Sequence, residues 1–285
     1  MRGRFLYVAG SVSIRRMTGF IIVFLAAIGL AFGSFVGALV WRLHTRKNMT
    51  TDRSECEHCH HKLSALDLIP LASWLALKGK CRYCGKPIGW QAPILEVVMA
   101  ILFVGSYLLW PYALTSGLEW TAFGLWLLYL VGLVALFVYD MRYMLLPNVI
   151  MFPLIGLAIV ESVLRNLVIL GVAPIDYANS AVFGMVTIGG LYWVLYTFSK
   201  GKWVGYGDVK LGLFMGLALG FQRSILALFL ANIVGFLIVV PGLLAGKLTR
   251  KSRVPFGPFL IVSFVLAFLF GDEIIDWYLH FIFVR

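Results

Sequence analysis

Charge is scarce in this chain. Of 285 residues only 13% are Asp, Glu, Lys or Arg, where a soluble domain carries about a quarter. Acidic residues number 13 and cysteines four. No G-x-S-x-G or H-E-x-x-H motif occurs, so serine-hydrolase and zincin readings lack their signatures. No G-x-G-x-x-G follows a strand pattern, which excludes a Rossmann nucleotide site. No basic stripe with interleaved aromatics lies outside the apolar runs, so nucleic acid is not an expected partner. No A-x-A-like site follows the first apolar run, which is too long for a cleavable signal peptide. A second globular domain is not evident.

Apolar residues are what the chain has most of, at 61%, with mean hydropathy +0.92. Eight hydrophobic segments are read at roughly 17–41, 91–112, 119–140, 146–165, 178–199, 209–222, 224–246 and 256–283. Most approach the ~20 residues a bilayer requires. The expected fold is an all-α polytopic membrane protein with about eight transmembrane helices and a polar loop between the first two. The sixth segment is short enough to be tilted, thinly spanning or re-entrant.

Lys and Arg choose the orientation. With residues 42–90 cytoplasmic and the sides alternating, 17 of the 24 Lys and Arg fall on the cytoplasmic side. The other side holds Arg2, Arg4, Arg15, Arg16, Arg165, Arg223 and Arg285. The excess favours this orientation, against the four N-terminal arginines. The net charge of +11 is then mostly positive-inside bias plus contact with anionic lipid headgroups. Three regions are expected: residues 1–41 with the first span, the loop 42–90, and a membrane core 91–285.

All four cysteines lie in the loop, as C-x₂-C pairs at Cys56/Cys59 and Cys81/Cys84. Two such pairs complete a tetrahedral zinc site, and four thiolates leave no position for water, so the zinc is structural. Two disulfides are the alternative, and a reducing cytoplasm disfavours them. His58, His60 and His61 crowd the first pair. The loop has few large apolar residues, so a metal would supply stability that its own core lacks. It holds nine Lys and Arg against Asp52, Glu55, Glu57 and Asp67, and so is not suited to attract a basic peptide.

Glu96, Asp140, Glu161 and Asp208 lie in or at the edge of apolar runs, where a carboxylate is costly and reads as functional. Asp208, Gly212, Gly216 and Gly220 recur at four-residue steps, on nearly one helix face. Glycines there let a neighbouring helix approach closely. Gly205 and Gly207 free the backbone just before it. Lys210 points elsewhere and is expected to snorkel to headgroups. Asp140 falls at the same depth as Asp208. Two carboxylates that meet cannot both ionise, which gives a general base and a general acid around one water. The bland alternative is that each acid caps or pairs locally, Asp140 with Arg142 for example. Glu96 is a candidate to bind substrate or pair with a buried base. Glu161 is expected to reach the interface and receives no role.

The order of these pieces resembles the type IV prepilin peptidases, membrane aspartic proteases with a GxGD motif. The resemblance rests on GSF at 33–35 with Arg42 following, the two cysteine pairs, LSALDLIPLASWLALKGKCRYCGKPI at 63–88 and PILE at 93–96. It continues with Asp140 ahead of LPN at 146–148, GYGDVKL at 205–211 and PFGP at 255–258. It implies cleavage of the basic leader of type IV prepilins or pseudopilins after a glycine, at the cytoplasmic face of the bacterial inner membrane. It further implies N-methylation of the new amine from S-adenosylmethionine. Asp140 and Asp208 match the catalytic pair, and Cys56, Cys59, Cys81 and Cys84 the zinc knuckle. Glu96 is the one candidate for the methyl donor's site. Departures cluster in the N-terminal third: Gly37, His44, Glu57 and Ala92 stand where the family usually has other residues. Other readings consistent with intramembrane acids are a metal-regulated transporter and a peptidase-like scaffold without activity.

Overall fold

The structure, a computed structural model, describes residues 12–48, 54–249, 252 and 254–283, and of 12–17 and 283 only the backbone. Arg2, Arg4, Asp52, Arg53, Arg250, Lys251, Arg253 and Arg285, and the side chains of Arg15 and Arg16, lie outside the described residues. Among the described residues the chain is helical, without strands beyond two isolated bridges in the loop. Seven helices are long and apolar enough to cross a membrane, so this is an all-α polytopic membrane protein. The chain divides into two compact units, Met1–Leu109 and Trp110–Arg285.

In the first unit, α1 (Val12–Thr45) pairs with α3 (Gln91–Leu108), and the polar loop with the short helix α2 (Ala72–Ala76) connects them. Two glycines let the long helices approach closely. A Cβ at Gly29 would stand 2.6 Å from Ala100 Cα, and one at Gly33 would stand 2.7 Å from the Glu96 nitrogen. The first glycine of the GSF stretch is therefore a packing requirement of the Glu96 turn.

In the second unit, α4 (Gly117–Tyr143) starts at a capping box, with Ser116 accepting from the Glu119 N–H and Glu119 accepting from the Ser116 N–H. It ends at Met144, a left-handed residue four positions past Asp140. It is the most enclosed of the spans, and its apolar inner surface carries the core. Trp126 stacks on Phe268 at 4.1 Å, and Tyr129 meets Phe214 edge-on at 5.5 Å. α5 (Asn148–Val163) follows and continues through a π-helical turn, Leu164–Ile169. α6 (Pro174–Met185) and α7 (Leu191–Ser199) form one span joined by a second π-helical turn, Val186–Gly190.

The last two elements are α8 (Tyr206–Leu244) and α9 (Gly257–Phe283). α8 breaks at Gly220, whose φ of 72° is open to glycine and strained for other residues. Before the break, Gly212 lies against Ile188 and Gly189, Gly216 against Gly184, and Gly220 against Ser180. After it, Arg223 meets Gly271 and Asp272, and Gly235 meets Phe259. Residues 206–219 thus run antiparallel to α6–α7, and 221–244 run antiparallel to α9. Since α7 arrives at the Asp208 end and α9 departs from it, the chain reverses direction at Gly220. One helical run contains two passes, which reconciles seven long helices with the eight segments expected from sequence. The first pass is about 20 Å long at 1.5 Å per residue, short of the ~30 Å hydrocarbon layer.

The reversal frees backbone groups that side chains then satisfy. Ser180 Oγ accepts from the Phe221 N–H at 3.1 Å, and Arg165 donates to the Ala218 carbonyl at 2.6 Å. Arg165 also donates to Glu161 at 2.8 Å. Glu161 is fully buried, so the expectation that it reaches the interface is wrong. A carboxylate four residues before an arginine on one helix finds its partner within the same turn, and that pairing lets both enter the core.

Candidate functional site

The Asp140 end of the second unit gathers five helix ends: the C-termini of α4 and α7 and the N-termini of α5, α8 and α9. Asp140, in the last turn of α4, is buried. Its carboxylate packs against the backbone of Gly257, the first residue of α9, whose N–H favours the ionised acid. A Cβ on Gly257 would stand 2.5 Å from Asp140 Oδ2. Asp140 therefore engages α9 rather than the neighbouring Arg142. A helix N-terminus offers unsatisfied N–H groups and positive potential, both suited to an acid.

Asp208 sits in the first turn of α8 and accepts the Gly205 N–H at 3.1 Å. Gly205 and Gly207 do different work. Gly205 supplies the donor, whereas a side chain on Gly207 would collide with Leu146, its Cβ falling 2.9 Å from the Leu146 Cβ. Leu146 also lies 3.6 Å from the Cβ position of Gly257. One leucine thus touches the glycine beside each acid, and the charges of Asp140 and Asp208 are close enough to interact. Tyr192 is buried, feels the Asp208 charge, and packs on Phe256 with ring centroids 5.8 Å apart. It extends the glycine face: residues 192, 188, 184 and 180 oppose 208, 212, 216 and 220.

Lys210 lies close by. Its ammonium donates to Asn148 Oδ1 at 2.7 Å and lies 4.8 Å from the Tyr206 ring centroid. Asn148 starts α5, so the bond ties α5 to α8. Gly257, Leu146 and Tyr192 are site residues that the sequence reading did not single out. The signal for Gly257 was present in the PFGP stretch, but its partner is remote in sequence.

The loop builds a second, separate site. Cys56, Cys59, Cys81 and Cys84 are free, and their Sγ atoms all lie within 4.8 Å of one another. Cys56 and Cys84 sulfurs are 3.9 Å apart. A tetrahedron with Zn–S bonds of 2.3 Å has S···S edges of about 3.8 Å, so the four thiols fit a zinc ion. The two C-x₂-C turns are built alike. Cys56 N–H donates to the His61 carbonyl, and Cys81 N–H to the Lys86 carbonyl. Cys56 and Cys81 carbonyls accept from His60 and Gly85, both of positive φ. Bridges Glu55–Lys62 and Lys80–Pro87 close the two turns. Burial raises the Cys56 thiol pKa, but backbone N–H groups of Cys59 and His58 outweigh it and bring it to about 7, favouring the thiolate a metal needs. Asp67 anchors the second turn. Arg82 donates to it at 2.7 Å and holds its carboxyl well below the usual range, with Ser64 and Tyr83 adding bonds.

Glu96 is buried with no base beside it. Its carboxylate accepts the Leu71 N–H at 2.6 Å and a bond from the Ser34 hydroxyl. These contacts join the loop to both long helices of the first unit. They leave Glu96 engaged within the first unit.

Two helix-borne acids at one end of a membrane bundle, each beside a tightly packed glycine, make membrane proteins with paired carboxylates the class to compare. Residues 27–110 match the Bacterial Peptidase A24 N-terminal domain, and residues 127–240 match the Type IV leader peptidase family. A prepilin leader peptidase/N-methyltransferase of Aeromonas hydrophila is 36% identical over 81% of this chain and 76% of its own. Proteins of the same description from Stutzerimonas stutzeri and Bacillus subtilis are each 30% identical. The first covers 89% of this chain and 92% of its own, the second 88% and 95%. The chain belongs to the type IV leader peptidase family. No solved structure matches it.

Proposed function

We propose that this protein is a prepilin leader peptidase that cleaves type IV prepilins or pseudopilins after a glycine, at the cytoplasmic face of the inner membrane. Asp140 and Asp208 hold one proton between them. The ionised carboxylate takes a proton from water as the oxygen attacks the Gly–X carbonyl carbon. The protonated partner donates to the carbonyl oxygen; the acid that took the water proton then passes it to the leaving nitrogen, the other recovers its proton from a hydroxyl of the adduct, and the C–N bond breaks to release the leader's carboxyl group and the amine of the mature pilin. The observation that supports this reading is the placement of both acids at one end of the bundle, Asp208 held by the Gly205 N–H and Asp140 packed on Gly257. Family membership supports the substrate, and the lysine and arginine distribution supports the face.

The relatives' description also carries an N-methyltransferase activity. We assign methylation of the new amine to this chain on that similarity, with S-adenosylmethionine as the methyl donor. Zinc in the four-cysteine site is structural, since four thiolates close its coordination shell.

The test is incubation of purified protein with a prepilin, read as a mobility shift. Asp140→Asn and Asp208→Asn are each expected to insert normally and cleave nothing. Cleavage by both variants would reject the pair.

A further inference from the structure

The segment Ala65–Leu77, in the middle of the polar loop, is neither packed away nor polar. Leu66 is 64% exposed, Leu68 44%, Ile69 46% and Leu75 59%. An aqueous loop of this size would not keep four large apolar side chains in water.

Its depth is fixed by one bond. The Leu71 N–H donates to Glu96, five residues past Gln91 in the spanning helix α3. At 1.5 Å per residue the Glu96 Cα lies about 7 Å below the start of that helix, and its side chain leans back toward that start, so Leu71 stands level with the first turns of the span. The backbone of Glu96 is in turn pressed against Gly33 of α1, well inside that helix's own span. Leu71 has φ 58° and ψ −46°, a backbone conformation costly for leucine, so the surrounding contacts hold it there. Trp74 and Trp90 rings pack at 4.4 Å beside the segment, and Trp90 is 68% exposed directly ahead of α3. Paired tryptophans at this level are the mark of a membrane–water boundary. The segment is followed by Lys78, Lys80 and Lys86, of a sign that suits anionic headgroups.

We infer that Ala65–Leu77 lies within the interfacial layer of the bilayer, with Leu66, Leu68, Ile69 and Leu75 among the lipid chains. Interfacial helices sit about 5–10 Å into the headgroup–acyl boundary, which agrees with the depth set by Glu96. Asp67 links this segment to Arg82 and Tyr83 of the second cysteine turn. The four-cysteine knuckle is thereby moored flat to the membrane surface rather than held out in water.

The test places a spin label, coupled through an unnatural side chain to spare the cysteines, at Leu66, Leu68 or Leu75. The full protein is set in nanodiscs of phosphatidylethanolamine and phosphatidylglycerol. Ile101, exposed on α3, is the lipid reference, and Glu57, exposed in the knuckle, is the aqueous one. Collisions with oxygen relative to a water-soluble nickel chelate are expected to be severalfold more frequent at the three leucines than at Glu57, as at Ile101. Nickel access equal to that at Glu57 would overturn the inference. Shielding from both agents would also overturn it, since it would mean that protein rather than lipid covers the segment. Prepilin cleavage is not the readout, so failure here leaves the peptidase assignment untouched.

Discussion

Replacing Gly257 by alanine isolates the positioning of Asp140 from the chemistry of its carboxylate. The new Cβ would stand 2.5 Å from Asp140 Oδ2 and 3.3 Å from its Cγ. A relaxed C···O contact is about 3.3 Å or longer, so the carboxylate oxygen must retreat by about 0.8 Å. Asp140 is the cheaper group to move, because its carboxylate is the free end of a side chain whereas Gly257 belongs to α9. An off-rotamer aspartate costs about 0.5–1.5 kcal/mol. Alanine also lowers the conformational entropy of the unfolded chain relative to glycine, about 0.4–1 kcal/mol, which offsets part of that. Thermal stability is therefore expected to change little. A catalytic group displaced by about 1 Å loses on the order of 100-fold in rate, equivalent to about 2.7 kcal/mol in the barrier. Initial cleavage rates against prepilin concentration should show a lower kcat with KM nearly unchanged. Thermal unfolding in the same detergent controls for folding. Wild-type kcat in a folded Gly257→Ala protein would refute the claim that α9 sets the Asp140 carboxylate.

Three further outcomes follow from other contacts. Glu161→Ala leaves the Arg165 guanidinium buried without its carboxylate, and breaking such a pair costs about 3–5 kcal/mol; thermal unfolding should fall sharply, and a Glu161→Leu/Arg165→Met double variant should recover part of the loss. Gly184→Ala drives a Cβ to 2.5 Å from the Gly216 carbonyl oxygen and 2.9 Å from Gly220. Backbone cannot swing aside, so stability should drop by about 1–3 kcal/mol, and cleavage should fall as Asp208 shifts with its helix. Cys59→Ser, or prolonged chelation, should lower bound zinc below one ion per chain by atomic absorption and open residues 54–88 to trypsin, while full metal content in the variant would count against the four-thiolate site.

Much of this molecule is written in local pattern. Apolar runs specify spans because the bilayer demands length and hydropathy and little else. The C-x₂-C pairs specify the knuckle because two residues between thiols set the turn. Glycines four residues apart identify a close-packed face through helix periodicity alone, and Gly212, Gly216 and Gly220 indeed oppose Ile188, Gly184 and Ser180. Even Glu161 was legible, since an arginine stands four residues on, though a single acid in an apolar run drew attention away from its pair.

Tertiary structure decided the rest, where the deciding contact joins residues with no periodic relation. The reversal at Gly220 depends on Arg165 and Ser180 capping the freed backbone from other helices. Asp140 packs against Gly257, more than a hundred positions away, and no spacing rule announces that contact. Lys210 finds Asn148 because α5 happens to begin beside it. Local sequence fixes which face of a helix is apolar, small or charged; which helix end meets it is settled only when the whole bundle packs.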